Sequence, residues 1–386
     1  MRLRTSFAFG ATIALLLVAC GGPAATPTAA PTAAPTAAPT AAPTAAPSAW
    51  KVGVVTDVGT VDDKNFNEYS FVGAENGATA IGAAEPDVAV PGDSSEYASL
   101  IQNFIDTDHN IIVTVGFNLA NDTAIAALAN SDVWFIGVDQ APCIDETGAP
   151  DTTFTCAGDL ATLLPNFIGL QYAEDQAGYL AGIVAASISA NGNVGAIGGI
   201  NLVPAVVRYI QGYELGALSV NANAHVFADY VSTSDFGVAF NDPAAGKTFA
   251  EQFIGTNDVD VLFQVAGKTG NGVLEAACEA DIHGIGVDVD QWLSLNADTD
   301  PAYACIVTSA EKHLASSVEQ TIVAINDETA VPGVALFNAA NDGVGLSPEN
   351  SGAGLITPDI QALIDAALTG MQDGSLVTCP ATCGQP

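Results

Sequence analysis

The chain has 386 residues, of which 43 are Asp or Glu and only 8 are Lys or Arg, giving a formal net charge of −35. Beyond Arg2 and Arg4 the cations are Lys51, Lys64, Arg208, Lys247, Lys268 and Lys312, each isolated, so the sequence offers no basic cluster to neutralise nucleic-acid phosphates or anionic lipid. The acidic excess reads as a solvated, self-repelling surface.

Arg2 and Arg4 precede an apolar run from Phe7 to Ala19, which Cys20 follows. This is the layout of an export signal, and the run is shorter than the roughly 20 apolar residues of a membrane-spanning helix. Its end, Leu17-Val18-Ala19-Cys20, resembles the lipobox of bacterial lipoproteins, which implies cleavage before Cys20 and lipid attachment to it. The competing reading is a cleaved secretory peptide whose cysteine is incidental. Residues 21–48 contain only Gly, Pro, Ala, Thr and Ser, with Pro-Thr-Ala-Ala repeating from Pro27. Such a segment cannot build a core, and it favours an extended, semi-rigid stalk at about 3.1 Å per residue.

From Ala49 an ordinary globular composition runs for about 340 residues, enough for two lobes at ~100–200 residues each. Val52 to Val55, Val88 to Val90, Ile111 to Val115 and Val133 to Val138 predict buried strands, each separated from the next by room for a crossover helix. After a predicted helix at about Ala173 to Ser189, the rhythm repeats at Val194 to Ile197, His225 to Val231, Val259 to Val265 and Ile282 to Val287. Two such sets predict two doubly wound α/β lobes with parallel sheets.

In sheets of this kind a ligand lies beyond the carboxyl ends of the strands. The residues there are polar: Asp57, Asp62, Asp63, Asn65, Phe66 and Asn67 after the first strand, Asp139 after the fourth, then Gly267-Lys268-Thr269-Gly270, Asp288 and Asp290 in the second set. Asp57, Asp62 and Asp63 either face a ligand or cap the following helix. Phe66 and Phe240 suit either a core or a flat ligand face, and Lys312 reads equally as a surface helix residue. Asp139 and Asp288 end apolar runs, where an unpaired carboxylate is costly to bury, which favours a ligand or mouth position.

Cys143, Cys156, Cys278, Cys305, Cys379 and Cys383 form an even set that an oxidising compartment permits to pair. The sequence-near pairing, Cys143–Cys156, Cys278–Cys305 and Cys379–Cys383, is the expectation among fifteen possibilities. No metal or cofactor is expected, because His109, His225, His283 and His313 share no ligand spacing with each other or with the cysteines. Gly267-Lys268-Thr269 is not a phosphate loop, since the required earlier glycine is Leu262. Neither a Gly-x-Ser-x-Gly elbow nor a His-Glu-x-x-His motif occurs, so an enzyme is not expected.

Val54-Val55-Thr56-Asp57-Val58-Gly59 with Asp62-Asp63-Lys64-Asn65-Phe66-Asn67, Gln176 to Gly182, Gly198-Gly199 with Pro204 and Gly212-Tyr213, Asp242 to Lys247, Ala266 to Gly272, Ile285 to Gln291 and Thr308 to Lys312 follow one another in order. Together these segments resemble the basic membrane protein family of ABC-transporter substrate-binding lipoproteins, which includes purine-nucleoside receptors. The resemblance implies a type I periplasmic-binding-protein fold, two Rossmann-like lobes joined by a hinge. Residues 49–170 with about 310–330 would form lobe 1, and 171–309 with about 331–386 lobe 2.

It further implies that Phe66 and Phe240 sandwich a base, Asp139 bonds the base edge, Asp288 grips ribose hydroxyls and Lys312 donates to the sugar. Asp57, Asn65 and Asn67 add polar contacts from the first loop, and the backbone approaches the ligand after Gly267. Asn65 stands where the family motif has serine, and Lys268 enters its Gly-Thr-Gly loop; both bear on ligand choice. The implied protein is a monomeric receptor on the outer face of the cytoplasmic membrane, anchored through Cys20. It would deliver a nucleoside, or alternatively a sugar, to ABC permease and ATPase subunits. A ligand-sensing lipoprotein without transport, or a nucleoside-processing enzyme, are the readings from other classes.

Overall fold

The computed structural model describes residues 50–379 and 383–384; the export segment, Cys20 and the stalk lie outside the described residues. Strands β1 (Val52–Thr56), β2 (Asp87–Ala89), β3 (Ile111–Val115), β4 (Trp134–Val138) and β5 (Phe167–Tyr172) are followed by β6 (Asn193–Gly198), β7 (His225–Tyr230), β8 (Val261–Val265), β9 (His283–Asp288) and β10 (Ile306–Lys312). Two short strands, β11 (Gly333–Phe337) and β12 (Val344–Leu346), close the series.

They form two six-stranded sheets, ordered β11-β5-β4-β3-β1-β2 and β12-β10-β9-β8-β6-β7. All pairings are parallel except that of β12 with β10. Every residue of β1, β3 and β8 is buried, as strands covered by helices on both faces must be. Each fully buried Val or Ile there contributes about 1.5–3 kcal/mol. The expected α/β fold with two parallel-sheet lobes is present, and its order reverses between β1 and β3 in the first lobe and between β6 and β8 in the second. Those reversals are where ligand crevices open.

Two of the expected buried strands are edges. β2 is one residue displaced from Val88–Val90 and mostly exposed, and β7 has only exposed and half-buried residues. Each has a single neighbour, so one row of its backbone faces outward whatever its side chains. β5, β10, β11 and β12 were not anticipated as strands. β11 lies in the first sheet rather than in the second lobe expected for residues 331–386, pairing with β5 from Gly333–Ile168 to Phe337–Tyr172. The chain thus passes between sheets at Ala173, at His313 and across Asn338–Gly343.

Helices Glu174–Ile188 and Pro204–Val220 pack against each other through reciprocal glycines. A Cβ on Gly178, Gly182, Gly212 or Gly216 would stand 2.1, 2.1, 2.1 or 1.9 Å from a carbonyl oxygen of the opposing helix. The close approach fixes Glu174 beside Arg208. Disulfides join Cys143 to Cys156, Cys278 to Cys305 and Cys379 to Cys383. Among the described residues no helix is long and apolar enough to cross a membrane.

Substituting Gly182→Ala should therefore cost about 1–3 kcal/mol or more, read as a lower urea midpoint. Gly255→Ala, in helix Pro243–Asn257 with nothing within 4 Å of its Cβ position, should instead gain roughly 0.5–1 kcal/mol.

Candidate functional site

One cavity lies at both switch points at once. The first lobe contributes the ends of β1, β3 and β4, namely Asp57 and Val58, Gly116 to Asn118, and Asp139. The second contributes Val203, Val206 and Tyr209 from the start of helix Pro204–Val220, Phe236 and Phe240, Gly267 and Lys268 after β8, and Asp288 at the end of β9. Lys312, the last residue of β10, completes the lining.

Asp139 and Asp288 occupy corresponding places in the two lobes, and both adopt left-handed backbone, with φ of 58° and 65°. That conformation is uncommon for residues other than glycine and costs of order 1–3 kcal/mol; such strain gathers at ligand sites. Glycines serve at the neighbouring strand ends: Gly116 has φ 116° and Gly267 φ 52°. A Cβ on Gly116 would meet the Asp57 carboxylate at 2.1 Å, so only glycine leaves that acid room.

Lys312 is 4% exposed, and its ammonium is ringed by carboxylates. Nζ lies 2.6 Å from Asp139 Oδ2, 3.3 Å from Glu174 Oε1 and 3.8 Å from Asp288 Oδ1. It also sits 5.3 Å from the ring centroids of Phe66 and Tyr172 and 5.6 Å from that of Tyr209, within cation–π range. Arg208 Nε donates to Glu174 Oε2 at 2.6 Å, and the Tyr209 hydroxyl donates to Asp288 Oδ1 at 3.2 Å. Burial opposes charge on Lys312, but Asp139, Glu174 and Asp288 together raise its pKa.

Burial pushes Asp57 up to about 7, against the pull of the Val58 and Asn118 N–H groups, and Asp288 up to about 6, against Lys312. Asp139 is also raised by burial, with Lys312 opposing. Burial would raise Glu174 too, yet Lys312 and Arg208 hold it below the usual range. Buried carboxylates outnumber the two cations, and Asp139 Oδ1 has no hydrogen-bond partner among the described residues. The cavity therefore favours hydrogen-bond donors, such as hydroxyls and ring N–H groups, between aromatic faces.

Of the residues singled out from sequence, Asp57, Phe66, Asn67, Asp139, Phe240, Gly267, Asp288 and Lys312 line the cavity together. Asn65 does not. It is fully buried at the start of helix Phe66–Ala80, and its side-chain amide has no hydrogen-bond partner among the described residues. Asp63 reaches the cavity wall but also caps that helix, accepting the backbone N–H groups of Asn65, Asn67 and Glu68 at 2.9, 3.0 and 3.0 Å. Asp62 is exposed and bonded to Thr60.

Lys312 belongs to a buried strand rather than a surface helix. Sequence reasoning missed Glu174, Arg208, Tyr209, Phe117 and Asn118. Glu174 and Asp175 read as ordinary acids of a helix first turn, and nothing local marks one as buried. Across the mouth, Asn271 Nδ2 donates to the Asp63 carbonyl at 3.2 Å and Ser294 Oγ to that of Lys64 at 2.8 Å, joining second lobe to first.

Residues 50–359 match the family described as ABC transporter substrate-binding protein PnrA-like. The chain is 27% identical over 345 residues to the ABC transporter nucleoside-binding protein BmpA of Lactococcus lactis subsp. cremoris, spanning 86% of this chain and 89% of that protein. It is 29% identical over 271 residues to Basic membrane protein A1 of Borrelia garinii subsp. bavariensis, spanning 69% and 70%. Its fold is similar to that of an ABC transporter solute-binding protein from Aeropyrum pernix K1, with TM-score 0.70 at 22% identity over 86% of this chain and 94% of that one.

A neutral ligand whose hydroxyls donate to ionised Asp288 should bind more weakly as pH falls from 7 to 5, because the acid then regains its proton. The loss should approach tenfold per unit below about 6. Asp288→Asn should lower affinity at pH 7 and flatten that part of the profile, as measured by calorimetric titration across pH.

Proposed function

The chain belongs to the PnrA-like family of ABC transporter substrate-binding proteins, a family of solute receptors rather than enzymes, and from that premise we propose that it captures a purine nucleoside between its lobes. One observation carries the reading: the same cavity holds two aromatic residues, Phe66 and Phe240, and two strained strand-end carboxylates, Asp139 and Asp288, contributed by opposite lobes. A nucleoside presents the matching chemistry, a flat base with N–H donors joined to a vicinal diol.

In this proposal the base lies between Phe66 and Phe240, and its edge donates to the orphaned Asp139 oxygen. The two ribose hydroxyls donate side by side to Asp288. Lys312 donates to the sugar while neutralising the acids around it. A ligand held from both lobes at once favours the closed arrangement by its differential affinity for it. The closed receptor then delivers the nucleoside to membrane permease and ATPase subunits. A lipid on Cys20 and the stalk of residues 21–48 hold it outside the cytoplasmic membrane. The nucleoside-binding relative in Lactococcus supports the choice of ligand class.

Calorimetric titration of the purified protein with inosine, guanosine, adenosine, uridine and ribose tests this. One-to-one binding of purine nucleosides is expected, with ribose alone silent. Phe66→Ala should weaken binding on the order of 10- to 100-fold through lost stacking, and Asp288→Ala by a similar factor through lost charged hydrogen bonds. A folded protein that binds none of the nucleosides overturns this ligand assignment and leaves the transport family in place.

A further inference from the structure

We infer that Glu174 and Arg208 are positioning residues of the binding site, an ion pair outside the cavity, Glu174 buried and Arg208 half-buried, that sets where the Lys312 ammonium rests between Asp139 and Asp288. The inference rests on the reading of those two acids as ligand acceptors.

Glu174 is fully buried and lines no part of the cavity, yet its two oxygens are divided between two cations. Oε2 accepts Arg208 Nε at 2.6 Å, and Oε1 lies 3.3 Å from Lys312 Nζ. The pair is fixed by the glycine-mediated contact between their helices, and Glu174 stands one residue past the crossing at Ala173, as Lys312 stands one before the crossing at His313. Lys312 therefore has one carboxylate behind it and two before it, one from each lobe. Without the rear carboxylate the ammonium would be held by Asp139 and Asp288 alone and would compete with ligand donors for their oxygens.

Charge sets the sign of each perturbation. The groups facing this cluster are Lys312, Arg208, Asp139, Asp288, Glu174, Asp57, Asp175, Tyr172 and Tyr209. Glu174 raises both Asp139 and Asp288 by like-charge repulsion. Glu174→Gln removes that repulsion and frees Lys312 toward the cavity, so both acids should titrate lower. Arg208→Gln does the reverse: Glu174 keeps its charge but loses one cation, draws Lys312 backward, and both acids should titrate higher.

The test is an NMR titration of aspartate side-chain carboxyls in the ligand-free protein, with Asp139 and Asp288 assigned by Asp→Asn variants. In Glu174→Gln the Asp288 midpoint should fall by roughly one pH unit, and in Arg208→Gln it should rise. Arg208→Lys, which keeps the charge, should restore most of the wild-type value. Nucleoside affinity of Glu174→Gln at pH 7 should fall about tenfold.

Unchanged midpoints in folded variants, or shifts of the same sign in both, overturn the inference, because a merely structural disturbance has no reason to follow the sign of the removed charge. Should Glu174→Gln fail to fold, the direction of the shift in Arg208→Gln decides alone. The titration needs no ligand, so it stands or falls separately from the nucleoside assignment.

Discussion

The ammonium of Lys312 lies within 4 Å of carboxylates delivered by three distant parts of the chain, the end of β4, the start of helix Glu174–Ile188 and the end of β9. A lone buried cation would cost several kcal/mol in lost hydration, and so would each of those acids. None of the four is tolerable alone in this position. The mutual compensation is available only when both sheets are complete and their carboxyl ends face one another, so the electrostatics of one side chain and the arrangement of two lobes are a single constraint. The same arrangement leaves more acid than base in the cavity, and that surplus gives the site an appetite for neutral ligands rich in donors.

The alternation of Val- and Ile-rich runs with helical stretches was enough to predict two parallel-sheet lobes, because strands buried on both faces cannot be polar. The runs of β2 and β7 mark them as strands but not as edges, and β5 and β10, which are interior and largely buried, were missed along with the three-residue β12. β11 has the alternation of a strand with one exposed face, but which sheet it joins depends on where the chain has travelled, and no local pattern encodes that.

Site residues divided in the same way. Asp57, Asp139, Gly267 and Asp288 were legible because they terminate or follow apolar runs, and the topology of doubly wound sheets says what lies there. Phe66, Phe240 and Lys312 could be read as cavity residues only through resemblance to a family, since each residue type is commoner in a core or on a surface. Glu174 and Arg208 were invisible because a part-buried ion pair between two helices looks, in sequence, like two charged helix residues. Asp63 illustrates the opposite case: a carboxylate in a functional-looking loop does the ordinary work of helix capping and thereby aims Phe66 and Asn67 at the cavity.

The cross-links have a consequence for motion. Cys143–Cys156 closes the connection between β4 and β5 of the first sheet, Cys278–Cys305 ties helix Thr269–Glu279 to the approach to β10 of the second, and Cys379–Cys383 fastens the tail. None spans Ala173, His313 or Asn338–Gly343, where the chain changes sheets. Oxidation therefore stiffens segments within each lobe and adds no covalent tie between the two sheets, whose alignment is left to the crossing segments and to the charges gathered around Lys312.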